Sequence, residues 1–205
     1  MEIIDQLGIA LGLASLAGIN LYLTAGVAGL AIHFHWIKLD QSYQGLEILA
    51  DPVLMGIAWT FFFIEFFADK VPWVDSGWDA LQTFIRPVGA TLLGLAALGT
   101  LDPSIAWAGA LFCGGAALTT HLGKAGLRLA SNLNPEPTTN TASSIAASTA
   151  EDGLVLGGLA ITAFAPWLAL ILAVILIVIS FILAQKSFGL FRAGWQRFIS
   201  RKREA

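Results

Sequence analysis

Residues 153–184 read GLVLGGLAITAFAPWLALILAVILIVISFILA, thirty-two positions without one charged side chain. As a single helix this run would reach about 48 Å, against a bilayer hydrocarbon core of about 30 Å. Ala165-Pro166-Trp167 divides it, because proline stops one helix and can open the next. A short fifth span and a long sixth one ending at Ala184 are predicted. Gly153 and Gly157 are spaced for a small-residue helix contact on the fifth.

The rest of the chain calls for the same solvent. Of 205 residues, 57% are hydrophobic and 12% charged, with a mean hydropathy of +0.76. A soluble domain carries about 25% charged residues. The length suits one domain, expected over 1–185, with a basic cytoplasmic tail over 186–205. Glu2 and Asp5 replace the positive charge of a secretory leader, so the first apolar segment is expected to be retained. The lone Cys113 lies in an apolar run and reads as a packed apolar residue. No basic patch with interleaved aromatics points to nucleic acid.

Working upstream, the first apolar segment runs from Leu7 to Trp36 and is longer than a bilayer requires. Gly18-Ile19-Asn20 sits near its middle. Asn20 reads either as an interhelical hydrogen bond or as a helix break lining a site. Residues 33–50 form a connection, with Leu46, Ile48 and Leu49 at the interface. Pro52 to Asp69 is the second span. Residues 74–85 are amphipathic and expected to lie on the membrane surface. Arg86-Pro87 then opens the third span, to Leu101; the Asp102-Pro103-Ser104 turn opens the fourth, Ile105 to Gly123. Ser131 to Ala150 is rich in Asn, Pro, Thr and Ser and reads as the one long polar loop. Asp51-Pro52 and Asp102-Pro103 form a faint internal echo.

In the tail, Phe188, Phe191, Trp195, Phe198 and Ile199 recur at helical spacing beside Arg192, Arg197, Arg201, Lys202 and Arg203. An interfacial amphipathic helix on an anionic leaflet is predicted. The fold class is therefore all-α: a polytopic bundle of about six transmembrane helices. With both chain ends cytoplasmic, every Lys and Arg except Lys38 falls inside. Trp36, Trp107 and Trp167 then mark the outer interface, and Trp73, Trp78 and Trp195 the inner one. A multi-pass protein of the inner (plasma) membrane follows, with homo-oligomers left open.

One apolar span carries charge within it. Glu65 and Asp69 are four residues apart on one helix face, with Lys70, Asp75 and Asp79 just beyond. His121, Lys124 and Arg128 fall at i, i+3 and i+7 on the fourth span, again one face. Arg86, Asn134, Glu136, Glu151 and Asp152 belong to the same membrane level. An intramembrane carboxylate is expensive unless paired. The two stripes should therefore meet, either as a structural ion-pair network or as a polar vestibule. As a vestibule, the carboxylates suit a cation or protons; the cations with Asn132 and Asn134 suit a phosphate or carboxylate. Both together suit a zwitterion or lipid head group. His33 and His35 lie on the opposite side from His121, so no metal set is assigned. No cofactor is predicted. Ser131, Ser143 and Ser144 have one nearby His but no nucleophile elbow, which weighs against an enzyme.

These stretches resemble a prokaryotic membrane family known as domain of unknown function 4126. The resemblance rests on Gly18-Ile19-Asn20, Glu65-x-x-x-Asp69-Lys70-Val71-Pro72 with Asp75 and Asp79, and Arg86-Pro87-Val88-Gly89-Ala90. It continues through His121-x-x-Lys124-x-x-x-Arg128, Asn134-Pro135-Glu136-Pro137 with Asn140 and Ser143, and Glu151-Asp152-Gly153. It implies a multi-span bundle and the weight of these positions, and brings no activity. Glu65 to Val71 is also similar to the Glu-x-Gly-Asp-Lys-Thr/Ser motif of cation/proton exchangers. Here one residue is added between the acids, Ala68 replaces Gly and Val71 replaces the hydroxyl residue. A small transporter or permease is the expectation, with a non-transporting scaffold or lipid-interacting protein as the alternative.

Overall fold

The computed structural model describes residues 2–69, 72–132 and 137–204. Among them every element is helical. In order these are α1 (Glu2–His33), a 3-10 segment (Gln41–Ala50), α2 (Pro52–Ala68), α3 (Pro72–Leu98), α4 (Pro103–Asn132), α5 (Pro137–Phe164) and α6 (Pro166–Glu204). Every α-helix after the first begins on a proline, whose fixed φ suits the first helical turn and whose missing N–H is not needed there. The Asp-Pro echo is therefore a capping device. The Asp51 carboxylate accepts from the Val53 and Leu54 N–H groups at 2.9 and 3.0 Å. Asp102 accepts from Ser104 N–H at 2.9 Å.

α1 is the hub. Of its most apolar window, 89% is buried, against 17% for α6, so α1 is sheathed by protein while α6 faces outward. α1 is also not one rod: Asn20 leaves helical geometry at φ −148°, ψ 97°. Straight, thirty-two residues would hold its ends about 48 Å apart. Instead Gln6 donates to Thr100 Oγ1 at 3.1 Å, and Thr100 donates to Ser42 O at 3.1 Å, beside the connection that leaves the far end of α1. A single apolar cavity of about 510 Å³ is lined by Asp5 and Ile9 together with Ile32 and Trp36. The two arms of α1 thus fold back at residues 18–20, and both ends lie at one end of the bundle.

The other helices follow this hairpin. An added Cβ on Gly12 would touch Thr162 and Ala169, and one on Gly158 would touch Leu16, so α5 and α6 flank the first arm. The second arm meets α2 through Gly26 against Trp59 and Gly29 against Met55. At the apex, a Cβ on Gly18 would fall 1.7 Å from Thr120 Oγ1 and 2.4 Å from Ala117 O. Only glycine allows α1 and α4 to approach this closely there.

Several expectations change. Among the described residues four helices are long and apolar enough to cross a membrane: those within residues 3–33, 77–98, 103–128 and 166–189. The 3-10 segment and α2, bent by 63°, make up to five as one broken span. The six-span count included α5, whose first half is too polar to qualify. Because α1 doubles back, residue 6 lies by the α3–α4 turn, while α6 runs from beside Gly8 past Gly126 towards the opposite end. Chain ends at the same end of the bundle are therefore not what this arrangement gives.

Residues 74–85 do not lie apart from the third span; α3 runs through Arg86-Pro87 without a stop. Most of the predicted polar loop is the first half of α5, in keeping with the helix-favouring Ala142, Ala146, Ala147 and Ala150; of its described polar side chains Ser148 is buried and Thr149 exposed. The tail continues α6 rather than starting a separate helix. Its side chains beyond residue 189 lie outside the described set. A Cβ added to Gly153 or Gly157 would meet nothing within 4 Å, whereas one on Gly158 would run into Leu16, so the close approach on α5 is at Gly158. Trp78 is half-buried and stacks on Phe61, whereas Trp36, Trp107 and Trp167 are exposed. Cys113 packs in the core as expected.

Candidate functional site

The break in α1 creates the site. The first arm ends by leaving the Gly18 and Ile19 carbonyls without intrahelical partners, inside the bundle where water is scarce. Cationic side chains from two other helices take them. Arg86 of α3 donates through Nη1 to Gly18 O at 2.7 Å and Ile19 O at 2.6 Å. Lys124 of α4 donates to Ile19 O at 2.9 Å. Positive charge at a helix C-terminus is also favoured by the helix dipole. The second arm is capped from within: Asn20 Oδ1 accepts from Leu23 N–H at 3.0 Å, the N-cap arrangement. The Asn20 amide donates to Asp152 Oδ1 at 3.1 Å, tying the apex to α5.

Around this apex the predicted stripes meet. Arg86 Nη2 is paired with Glu65 Oε1, both side chains being fully buried. Lys124 Nζ lies 3.1 Å from Glu151 Oε2, 3.6 Å from Glu65 Oε1 and 4.0 Å from Asp69 Oδ2. Arg128 Nη2 reaches Asp69 Oδ2 at 2.8 Å and Glu151 Oε2 at 2.7 Å. Ser148 donates to Asp69 Oδ2 at 3.3 Å. The His121 ring is fixed on both sides. Its Nδ1 faces Arg86 Nη1 at 3.1 Å, and its Nε2 faces Asp79 O at 3.0 Å and Thr83 Oγ1 at 3.1 Å. A guanidinium can only donate and a carbonyl only accept, so Nδ1 is the acceptor and Nε2 carries the hydrogen.

Of the predicted residues, Glu65, Asp69, Arg86, His121, Lys124, Arg128 and Glu151 therefore form one network, with Asn20 and Asp152 bonded beside it. Asp79 joins through its backbone carbonyl only, and its carboxylate makes none of the ion pairs. Lys70, Asn134 and Glu136 lie outside the described residues, as does the side chain of Asp75. Sequence reasoning missed the two apex carbonyls, Ser148, Thr83 and the buried Gln82, which donates to Tyr22 OH at 3.1 Å. A signal existed for two of these: Asp79, Gln82, Thr83 and Arg86 fall at i, i+3, i+4 and i+7, one polar face of α3.

Two features stand out chemically. Four carboxylates (Glu65, Asp69, Glu151, Asp152) meet three cations (Arg86, Lys124, Arg128). Glu65 Oε2 and Asp69 Oδ1 are buried and meet no hydrogen-bond partner among the described residues. Among those residues no three His, Cys, Asp or Glu side chains converge as a metal-ligand group.

A sequence model described as Domain of unknown function (DUF4126) matches residues 7–186, a range that contains every residue of the network. The chain belongs to the DUF4126 family. Its helices include several long and apolar enough to cross a membrane. No curated protein and no solved structure matches it. For this DUF4126 chain, function rests on the geometry of the site.

Proposed function

We propose that the protein is a small transporter of the inner (plasma) membrane, moving a cation or protons through the charged apex of α1. The observation that carries this reading is the broken helix. A helix interrupted inside the bundle, its unwound carbonyls beside the ion, is how many secondary transporters build ion sites; here the freed carbonyls meet Arg86 and Lys124. Among the described residues the site holds four carboxylates and three cations, which favours a positively charged solute over an anion. Glu65 and Asp69 are the coupling carboxylates, and Arg86 holds the apex in place. In this reading α2 to α6 alternate across the membrane, α5 crossing with Ser148, Glu151 and Asp152 of its polar part turned to the charged apex, and α1 is re-entrant. The end bearing Lys124, Arg128 and the basic tail is cytoplasmic, and the opposite end carries only Lys38, which keeps the positive-inside asymmetry.

The second reading is a structural ion-pair network in a scaffold or lipid-interacting protein. It is favoured by the complete mutual pairing of Arg86, Lys124 and Arg128 with carboxylates. Glu65→Gln separates the two. Glutamine keeps an acceptor for Arg86 but removes the charge. Under the transporter reading the variant inserts and folds, while cation- or proton-driven flux in proteoliposomes falls by at least ten-fold. A wild-type protein that shows no flux under any imposed cation or proton gradient, while the variant loses thermal stability, rejects transport in favour of the scaffold.

A further inference from the structure

Lys124 is held differently from the two arginines beside it. Arg86 is fixed by two carbonyls, His121 and Glu65, and Arg128 bridges Asp69 and Glu151 at 2.8 and 2.7 Å. Lys124 sits between them with two close oxygens, Ile19 O and Glu151 Oε2, and two looser ones, Glu65 Oε1 and Asp69 Oδ2, at 3.6 and 4.0 Å. Its four-carbon stem is flexible, and its head is a compact point charge. Oxygens from α1, α2 and α5 thus surround one ammonium nitrogen. In two of those carboxylates the second oxygen, Glu65 Oε2 or Asp69 Oδ1, is buried and unpartnered. The remaining charged and titratable groups of the cluster are Arg86, Asp79, His121, Arg128 and Asp152.

We infer that this oxygen cradle is a binding site for a small ammonium-type cation, and that Lys124 is the built-in surrogate occupying it when solute is absent. This deepens the transporter reading and rests on it. The close distances, 2.9 and 3.1 Å, are those of N–H···O bonds. They exceed the roughly 2.0–2.6 Å at which magnesium and calcium are held. Ile19 O and Glu151 Oε2 stand at hydrogen-bond distance from the ammonium position. The Glu65 and Asp69 carboxylates, 3.6 and 4.0 Å away, add charge attraction for an ammonium group whether it is tethered or free. The excess of carboxylate over cation lets a free cation enter, and the looseness of the two longer contacts lets the lysine head yield to it. Glu65 Oε1 is thereby shared between Arg86 and the ammonium position.

The test uses purified full-length protein in detergent. Ammonium, methylammonium, potassium and sodium chlorides are titrated with choline chloride holding the ionic strength. The readout is the unfolding midpoint, which rises when a ligand binds only the folded state. Lys124→Met removes the surrogate and keeps the stem. The variant should bind ammonium and methylammonium at least ten-fold more tightly than wild type, and both ahead of potassium. Equal affinities in variant and wild type overturn the surrogate role, and potassium binding as well as ammonium overturns the ammonium class. Should Lys124→Met not fold, wild type decides: stabilisation by ammonium over choline supports the site, and its absence rejects it. Flux in proteoliposomes without cation-specific binding overturns this inference and leaves transport standing. Specific binding without any flux does the reverse.

Discussion

Two points in the chain carry the signal for a helix end, and they behave in opposite ways. At Gly18-Ile19-Asn20 there is no proline, yet α1 leaves helical geometry and folds back. At Arg86-Pro87 a proline stands inside α3, yet the helix runs on to Leu98. Local propensity alone ranks them the other way, since an interior proline removes one hydrogen bond and crowds the preceding turn. What separates them is the fate of the freed backbone groups. The apex of α1 finds donors for two carbonyls and a cap for its new N-terminus. In a water-poor interior a break lasts only where such partners exist. The two sites are also coupled, because the continuous α3 is what delivers Arg86 to the broken α1.

The largest effect expected from this contrast is at Arg86. Replacing it with Met removes the donor for Gly18 O, one of two donors for Ile19 O, and the close partner of the fully buried Glu65. Breaking a buried ion pair from one side is destabilising by about 3–5 kcal/mol, so Arg86→Met should lower folded stability by that order in detergent unfolding. A loss below about 1 kcal/mol would mean that the apex carbonyls are not held by Arg86, and the account of the break would fail.

A smaller effect is expected at Asn20. Asn20→Ala removes the cap on Leu23 N–H and the bond to Asp152, which should lower stability by about 1–2 kcal/mol. Asn20→Ser sharpens the comparison, because serine retains a capping oxygen but loses the amide that reaches α5. If the cap dominates, the serine variant recovers most of the loss. If the link to Asp152 dominates, serine behaves like alanine.

How far these features were legible depends on what each requires. The starts of α2, α4 and α6 were readable because composition and proline act locally, whereas Pro72 and Pro137 open α3 and α5 in stretches whose polarity pointed to the membrane surface and to a loop. The meeting of Glu65 and Asp69 with His121, Lys124 and Arg128 was readable because charge inside an apolar run demands a partner. Asn20 stood out for the same reason, and both of its readings, hydrogen bond and break, turn out to coexist. The hairpin direction of α1 was not readable. An apolar segment of that length satisfies a single tilted crossing equally well, and the reversal is decided by Gln6, Thr100 and Ser42, residues far apart in sequence. Part of the first half of α5 was obscured because a polar side chain facing a charged site looks, in sequence, like one facing water. Ser148 is the example, buried against Asp69.

The smallest effect, and the finest test of the contrast, lies at Pro87. If α3 is straight because its surroundings hold it, proline contributes nothing that alanine would lose, and alanine restores one backbone hydrogen bond worth about 1 kcal/mol. Pro87→Ala should therefore leave stability unchanged or raise it by up to about 1 kcal/mol, with the Arg86 contacts intact. The informative failure is a loss of stability together with a loss of flux. That pair of results would mean that proline sets the path on which α3 carries Arg86 to the apex. The helix that continues and the helix that breaks would then be shaped by one device rather than two.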